Sequence, residues 1–267
     1  MWPFGGSLYP MRPLKDGLEI ADGWVRRFRQ AGLLNFGDLW GSDRLKIFKK
    51  KADRDICTME LHGEILFVKR YYKDKRSLFV WPRPEGSKVE WSGAQILKTA
   101  GLMTFDPVAI GRDDLGRSII VITEVRGERI NDFLGRDIPL VRKAQAVSKL
   151  AHFAADFHGL GLSHQDFYLC HLFWDEEDGS ISVVDLQRLR RAEPIVLSWL
   201  IKDIAQLVYS SKAVLSISEW DELSRIFWDV YTAKLPECRS KKVVDRIKRK
   251  ALQIAKHDQK LKIRAWA

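Results

Sequence analysis

The chain has 267 residues, 46% of them apolar, with 45 Lys and Arg against 35 Asp and Glu for a net charge of +10. Such a length suits one large domain or two small ones, and such a composition can bury a core; it excludes a disordered chain, collagen and a repeat solenoid. The three cysteines, Cys57, Cys170 and Cys238, are odd in number and lack CxxC spacing, which argues against a disulfide scaffold or a zinc finger and fits a reducing compartment. The most apolar stretch, Ile195 to Tyr209, is broken by Lys202 and Asp203, so no segment reaches the roughly 18 apolar residues of a membrane span. The opening MWPFGGSLYPMRPL has no apolar run of the signal-peptide kind. A soluble, cytoplasmic protein is expected, with contact to a membrane surface left open.

In chain order, residues 1–43 are rich in Gly, Pro and Trp and read as an N-terminal extension, with a short helix over 22–33. From Arg44 the pattern turns to strands. RLKIFKKK and ICTMEL form a hairpin and GEILFVKRYY a further strand, by their Val, Ile and Phe content. EWSGAQILKTAGL (90–102) has helical spacing at Trp91, Ala94, Leu97 and Ala100, and Gly101 suits its C-terminal cap. PVAIG and RSIIVITEV are strands around the turn residues RDDLG. Next, 139–161 reads as one long amphipathic helix with Pro139 at its start and Gly159 and Gly161 at its end. LFW and ISVVDL are two short strands around DEEDGS, and helices follow at LSWLIKDIAQLVYS and SEWDELSRIFWDVYTAK. The expectation is an α+β chain of two lobes with a cleft, sheet-rich over 44–124 and helical over 125–267, linked near Val125 to Asn131.

The charge is concentrated at the end. Between Lys234 and Ala267 there are twelve Lys or Arg and only three acids, Glu237, Asp245 and Asp258. Val243, Val244, Ile247, Ala251, Ile254 and Ala255 recur at helical spacing. A basic amphipathic helix can lie on an anionic membrane or track phosphates; the plainer reading is a helix packed on its domain with the basic face in water. Most of the ten tryptophans, Trp2, Trp24 and Trp40 among them, are expected to pack in the core rather than to face a partner or lipid.

Four places hold polar residues where a plain core would not. Lys69 ends the apolar strand ILFVKRYY, and Glu90 opens the next helix. HQDFYLCH (164–171) follows the long helix, and Asp185 ends ISVVDL. Phosphoryl transfer needs these groups: a lysine on the phosphates, a glutamate to hold it, an aspartate to accept the hydroxyl proton and another to hold Mg²⁺. The protein-kinase signature has them in this order. Here Lys69 and Glu90 are 21 residues apart and Asp166 and Asp185 are 19 apart, with two strands between the aspartates. Taken singly each residue has an ordinary explanation, Glu90 as a helix-start acid, Asp185 as a turn cap, His164 as a structural histidine.

HQDFYLCHLFW followed by VVDLQRLRR resembles the lipopolysaccharide core kinases of the WaaP type, relatives of the 3-deoxy-manno-octulosonic acid (Kdo) kinases, over roughly residues 44–215. The resemblance implies a protein-kinase-like fold, with an antiparallel-sheet N-lobe and a mostly helical C-lobe, and an ATP-dependent kinase of an inner-core sugar, a heptose or Kdo. By it Asp166 is the base, Asp185 a Mg²⁺ ligand, Lys69 the ATP-phosphate lysine and Glu90 its partner. His171 takes the position of the metal-binding Asn of protein kinases, Gln187 replaces the Gly of DFG, and Asp203 matches the aspartate that braces the catalytic loop. Adenine is expected near Thr123 to Gly127. No GxGxxG precedes Lys69, and the charged KKKADRDI stands there instead, leaving Lys50, Lys51 or Arg54 as candidate phosphate contacts. Imidazole is a poorer Mg²⁺ ligand than oxygen, so the second metal position stays open.

The implied partners are lipopolysaccharide core or another anionic glycolipid, and an anionic membrane under the C-terminal helix; nucleic acid ranks lower, for want of a stacking motif. The implied location is cytoplasmic, with a peripheral place on the inner face of the inner membrane. Two alternatives stay open: a kinase-like phosphotransferase of proteins or small molecules, and a membrane-attached pseudokinase.

Overall fold

The structure, a computed structural model, describes residues 11–13, 17–72 and 86–266, the side chains of Met11 and of 260–266 excepted. Trp2, most of the opening segment and the side chains of Lys260, Lys262 and Arg264 therefore lie outside the described residues. The chain divides into two compact units, Met1–Val125 and Arg126–Ala267.

The first unit is built on a seven-stranded antiparallel sheet. From one edge its strands are Met11–Pro13, Leu18–Ala21, Pro107–Arg112, Ser118–Thr123, Glu64–Tyr71, Arg54–Leu61 and Lys46–Lys50. Ser118–Thr123 lies near the middle, and Ser118 to Ile122 are all buried. A continuous β-branched run is what a strand covered on both faces requires.

Alternation along Glu64–Tyr71 sends Leu66 and Val68 to one face, where they join Phe28, Phe36, Leu39, Cys57 and Met59 in the core. The helices Val25–Gln30 and Phe36–Trp40 supply part of that layer, and Trp24 and Trp40 pack against it. Residues 18–40, within the stretch read from sequence as an extension, thus give this unit a strand, two helices and much of its core. Phe67, Lys69 and Tyr71 point to the other face, toward the helix Gly86–Thr99, which buries Trp91, Ala94 and Leu97. That helix begins at Gly86, so Glu90 sits in its second turn rather than at its start as the spacing suggested.

The second unit is mainly helical. The long helix Leu140–Gly159 buries Ala146, Val147, Leu150, Ala151, Ala154, Phe157 and His158 and packs on the helix Ile217–Lys234. Gly161 ends it at φ +74°, and a Cβ there would lie 2.2 Å from the Ala192 carbonyl oxygen, so only glycine fits this turn. The strands Leu172–Asp175 and Ser180–Val183 pair antiparallel with Leu172 opposite Val183, and Phe173 pairs with Arg129 of the short strand Glu128–Arg129.

The helix Leu197–Lys212 packs on the C-terminal helix Lys241–Trp266. Val243 and Ile247 are buried there, Ile254 is half-buried, and Lys241, Lys242, Lys248, Arg249 and Lys256 are exposed on the remaining faces. The packed, solvated amphipathic helix is therefore what forms, and Tyr209 Oη donates to Asp258 Oδ2 at 2.5 Å across it.

Candidate active site

In the first unit, Lys69 Nζ donates to Glu90 Oε2 at 2.6 Å. Register places Lys69 between Ile56 and Ile120 on neighbouring strands. Tyr71, two residues on and therefore on the same face, donates through its hydroxyl to Glu90 Oε1 at 2.5 Å. Glu90 is fully buried and Lys69 7% exposed. A buried carboxylate is tolerated only with such partners, which removes the reading of Glu90 as a solvent-facing helix-start acid. In the hairpin before it, Lys51 N–H donates to the Arg54 carbonyl at 2.8 Å. The Arg54 guanidinium is 2.9 Å from Asp53, and Lys50 and Lys51 are exposed.

In the second unit, the loop 163–169 is held from beneath by one helix. Asp203 Oδ2 accepts from Ser163 Oγ and from the His164 N–H, both at 2.8 Å, and Oδ1 accepts from the Gln165 N–H at 2.9 Å. Gln206 Oε1 accepts from the Phe167 N–H at 2.8 Å and Ser210 Oγ from the Leu169 N–H at 3.2 Å. Positions 203, 206 and 210 lie on one face of a helix. Phe167 anchors the loop from the apolar side, stacked on Phe157 with centroids 5.5 Å apart. Gln165 adopts φ +65°, a strained conformation for a side chain with a Cβ. Residue 166 is thereby left half-buried at the surface while its neighbour Phe167 is buried.

Asp185 is fixed through Val184. The Val184 N–H donates to the His171 carbonyl at 2.9 Å. Its carbonyl accepts from His164 Nε2 at 2.9 Å, which makes Nε2–H the donor tautomer. Burial holds His164 below the ordinary imidazole range, so it is a neutral structural clamp; its buried Nδ1 has no hydrogen-bond partner among the described residues. Asp185 itself turns at φ +64°.

His171 Nδ1 is 2.7 Å from the Asp166 carbonyl. A carbonyl only accepts, so Nδ1 carries a hydrogen, and Nε2 faces Asp185, whose Oδ2 is 3.8 Å away. One ligand atom from each of Asp166, His171 and Asp185 falls within 4.8 Å of the others.

Two carboxylates suit a hard divalent cation, and a pre-oriented imidazole nitrogen adds a third donor; the set fits the ion that the kinase likeness implies. Burial works against a charged His171, but Cys170, the Asp166 carbonyl and the Asp185 carboxylate raise it to about 9. Cation and proton therefore exclude one another at Nε2. A separate cavity of about 550 Å³ in this unit is lined by Glu128, Phe133, Trp174, Asp175, Glu176 and Glu177. Its lining also holds Arg126 and none of Asp166, His171 and Asp185, so it is distinct from the acid–imidazole cluster.

Of the residues singled out from the sequence, Lys69 meets Glu90 in one unit, and in the other Asp166, His171 and Asp185 come together above Asp203. Sequence reading missed Gln206 and Ser210, whose one signal was their place on the Asp203 face of an apolar helix.

The sequence profile of the lipopolysaccharide kinase (Kdo/WaaP) family matches residues 60–227. The chain is similar to the lipopolysaccharide core heptose(I) kinase WaaP of Pseudomonas aeruginosa, 27% identical over 187 residues that span 62% of this chain and 70% of that protein. It is likewise similar to WaaP of Escherichia coli, at 28% over 187 residues, 62% of this chain and 71% of that protein. Among solved structures it resembles WaaP in complex with acyl carrier protein, with a TM-score of 0.62 and 24% identity over 78% of this chain and 88% of that one. The fold is thus the two-lobed α+β fold of the protein-kinase-like phosphotransferases. The chain belongs to the lipopolysaccharide kinase (Kdo/WaaP) family, enzymes that phosphorylate an alcohol group of a lipopolysaccharide sugar.

Proposed function

We propose that the protein transfers the γ-phosphoryl group of ATP to a hydroxyl of an inner-core sugar of lipopolysaccharide. A heptose is favoured because the curated relatives are heptose(I) kinases. The observation that supports this best is the convergence of Asp166, on the loop held by Asp203, with His171 and Asp185 within 4.8 Å.

In this reading Asp166 accepts the hydroxyl proton as the sugar oxygen attacks in line. Lys69, kept charged and aimed by Glu90, neutralises the nucleotide phosphates. Asp185 and His171 would hold Mg²⁺, which when bound draws charge from the transferred group. His164 and Asp203 keep the two aspartates in register. The exposed basic face of Lys241–Trp266 would rest on anionic lipid, where each cation adds about 1 kcal/mol; among the described residues no helix is long and apolar enough to cross a membrane.

The test is transfer of labelled phosphate from ATP to dephosphorylated core lipopolysaccharide. Transfer that stops when a chelator removes divalent ions is expected. A protein that binds nucleotide and core yet transfers nothing would overturn the reading.

A further inference from the structure

Three cations come from residues that meet the Asp166 loop, and the roles assigned above use none of them. Arg188 Nη1 is 3.9 Å from Asp166 Oδ1. Lys202 Nζ donates to Gln165 Oε1 at 3.2 Å, directly before the aspartate. Arg190 lies opposite Ser163 in the short antiparallel pairing of 162–163 with 190–191, and its guanidinium stacks over Trp199 at 5.2 Å. These three come from a turn, a strand and a helix, so their meeting at one loop is a product of the fold and not of a charged run.

Asp203 is occupied by the loop N–H groups and by Ser163. Arg191 faces Glu193 instead. Asp166 is the acid that Arg188 meets directly. Burial first, and then Arg188 and Arg190, push Lys202 down from its ordinary value, against the pull of Asp203 and Asp166; the cations are thus close enough to repel one another. A half-buried ammonium beside two cations is relieved by an anion. Lys202 holds Gln165 and Arg190 stacks on Trp199, yet Arg188 and Arg190 both stay exposed, within reach of a bound anion.

We propose that Arg188, Arg190 and Lys202 form an anion subsite that seats a carboxylate or phosphate group of the acceptor beside the hydroxyl that Asp166 activates. The subsite rests on the kinase reading of Asp166 and adds to it an acceptor requirement: a negative group close to the hydroxyl. Arg190 and Lys202 are specificity-determining residues in this scheme, and Arg188 also restrains Asp166 when no acceptor is present.

The experiment uses the full chain and de-O-acylated inner-core oligosaccharide whose acceptor hydroxyl is unphosphorylated, in three forms: untreated, carboxyl-reduced, and stripped of its remaining phosphates with hydrofluoric acid. Binding is followed by calorimetry and transfer by kcat and by KM for each substrate. For the wild type, removing one class of anion should weaken acceptor binding by about tenfold or more, the worth of a charge-assisted contact. The class whose removal has that effect identifies the source. Arg190→Ala and Lys202→Met should weaken binding of the untreated acceptor by a similar factor and be insensitive to that same treatment, with KM for ATP unchanged.

Independent, multiplying effects of variant and treatment would overturn the proposal, and so would a change confined to KM for ATP. If Lys202→Met fails to fold, Arg190→Ala, on an exposed side chain, decides alone. Anion-dependent binding without phosphate transfer would sink the kinase reading and leave the subsite standing. Transfer with no dependence on either anion would do the reverse, and a wild type that neither binds nor transfers would overturn both.

Discussion

At the scale of single residues, the account turns on buried groups that have no slack. Asp203 accepts three hydrogen bonds from the loop that carries Asp166. Asp203→Ala leaves two backbone N–H groups and a hydroxyl buried without partners, each costing about 1–3 kcal/mol. Chemical denaturation should show a loss above about 3 kcal/mol, and Asp203→Asn, which keeps one acceptor oxygen, a smaller one. An alanine variant as stable as wild type would mean that the loop is held elsewhere. Glu90 offers a contrast within the other unit. Glu90→Ala strands the Lys69 ammonium and should cost about 3–5 kcal/mol. Tyr71→Phe removes one hydrogen bond to the same carboxylate and should cost about 1 kcal/mol. Equal losses in thermal melts would show that the ion pair does not organise this strand and helix.

At the scale of elements, the helix Ile217–Lys234 starts with a capping box between Ser216 and Glu219, and Glu219 Oε1 accepts from Lys143 at 2.6 Å. The Lys143 bond first, with help from the Ser216 backbone and hydroxyl, lowers Glu219 from 4.5 to about 2. A depressed carboxylate adds stability that is complete above its unfolded value and lost below it. The Glu219 share should therefore hold above about pH 4.5 and fade as pH drops toward 2. Glu219→Gln should flatten that acid limb and cost about 1 kcal/mol at neutral pH; an unchanged pH profile would contradict the assignment.

The elements also show what the sequence could and could not disclose. Ser118–Thr123 and Leu140–Gly159 were readable because a β-branched run and a long period of 3.6 leave no rival structure. Leu18–Ala21 was not, for four residues among glycines and prolines carry too little pattern, and its place is set by pairing with Pro107–Arg112. The start of Gly86–Thr99 was misread because Glu90 looks like a first-turn acid when its burial is unknown.

At the scale of the whole molecule, the positive charge gathered on Lys241–Trp266 is a surface property, because Val243 and Ile247 commit one face of that helix to packing. Binding to anionic vesicles is expected at low salt and should fall by about tenfold or more as salt rises through the range where the Debye length shrinks from about 30 Å to about 8 Å. Replacing Lys241, Lys248 and Lys256 with Glu should abolish it without lowering the melting point, and salt-independent binding would contradict the electrostatic reading. The candidate site was legible to the extent that its residues stand near element ends, Lys69 late in an apolar strand, Asp166 after the long helix and Asp185 after a strand. Of what holds them, Glu90 and Asp203 were named through the family resemblance, but Gln206 and Ser210 were not, because they act through distances that only the fold sets.

The central claim is that Asp166 is the base of a phosphoryl transfer to lipopolysaccharide. The most direct measurement compares wild type with Asp166→Asn for transfer of labelled phosphate from ATP to dephosphorylated inner core at saturating nucleotide. A fall of about 10²- to 10⁴-fold in kcat, with nucleotide binding retained, is the outcome expected when general-base help is lost. Undiminished transfer by the variant would contradict it.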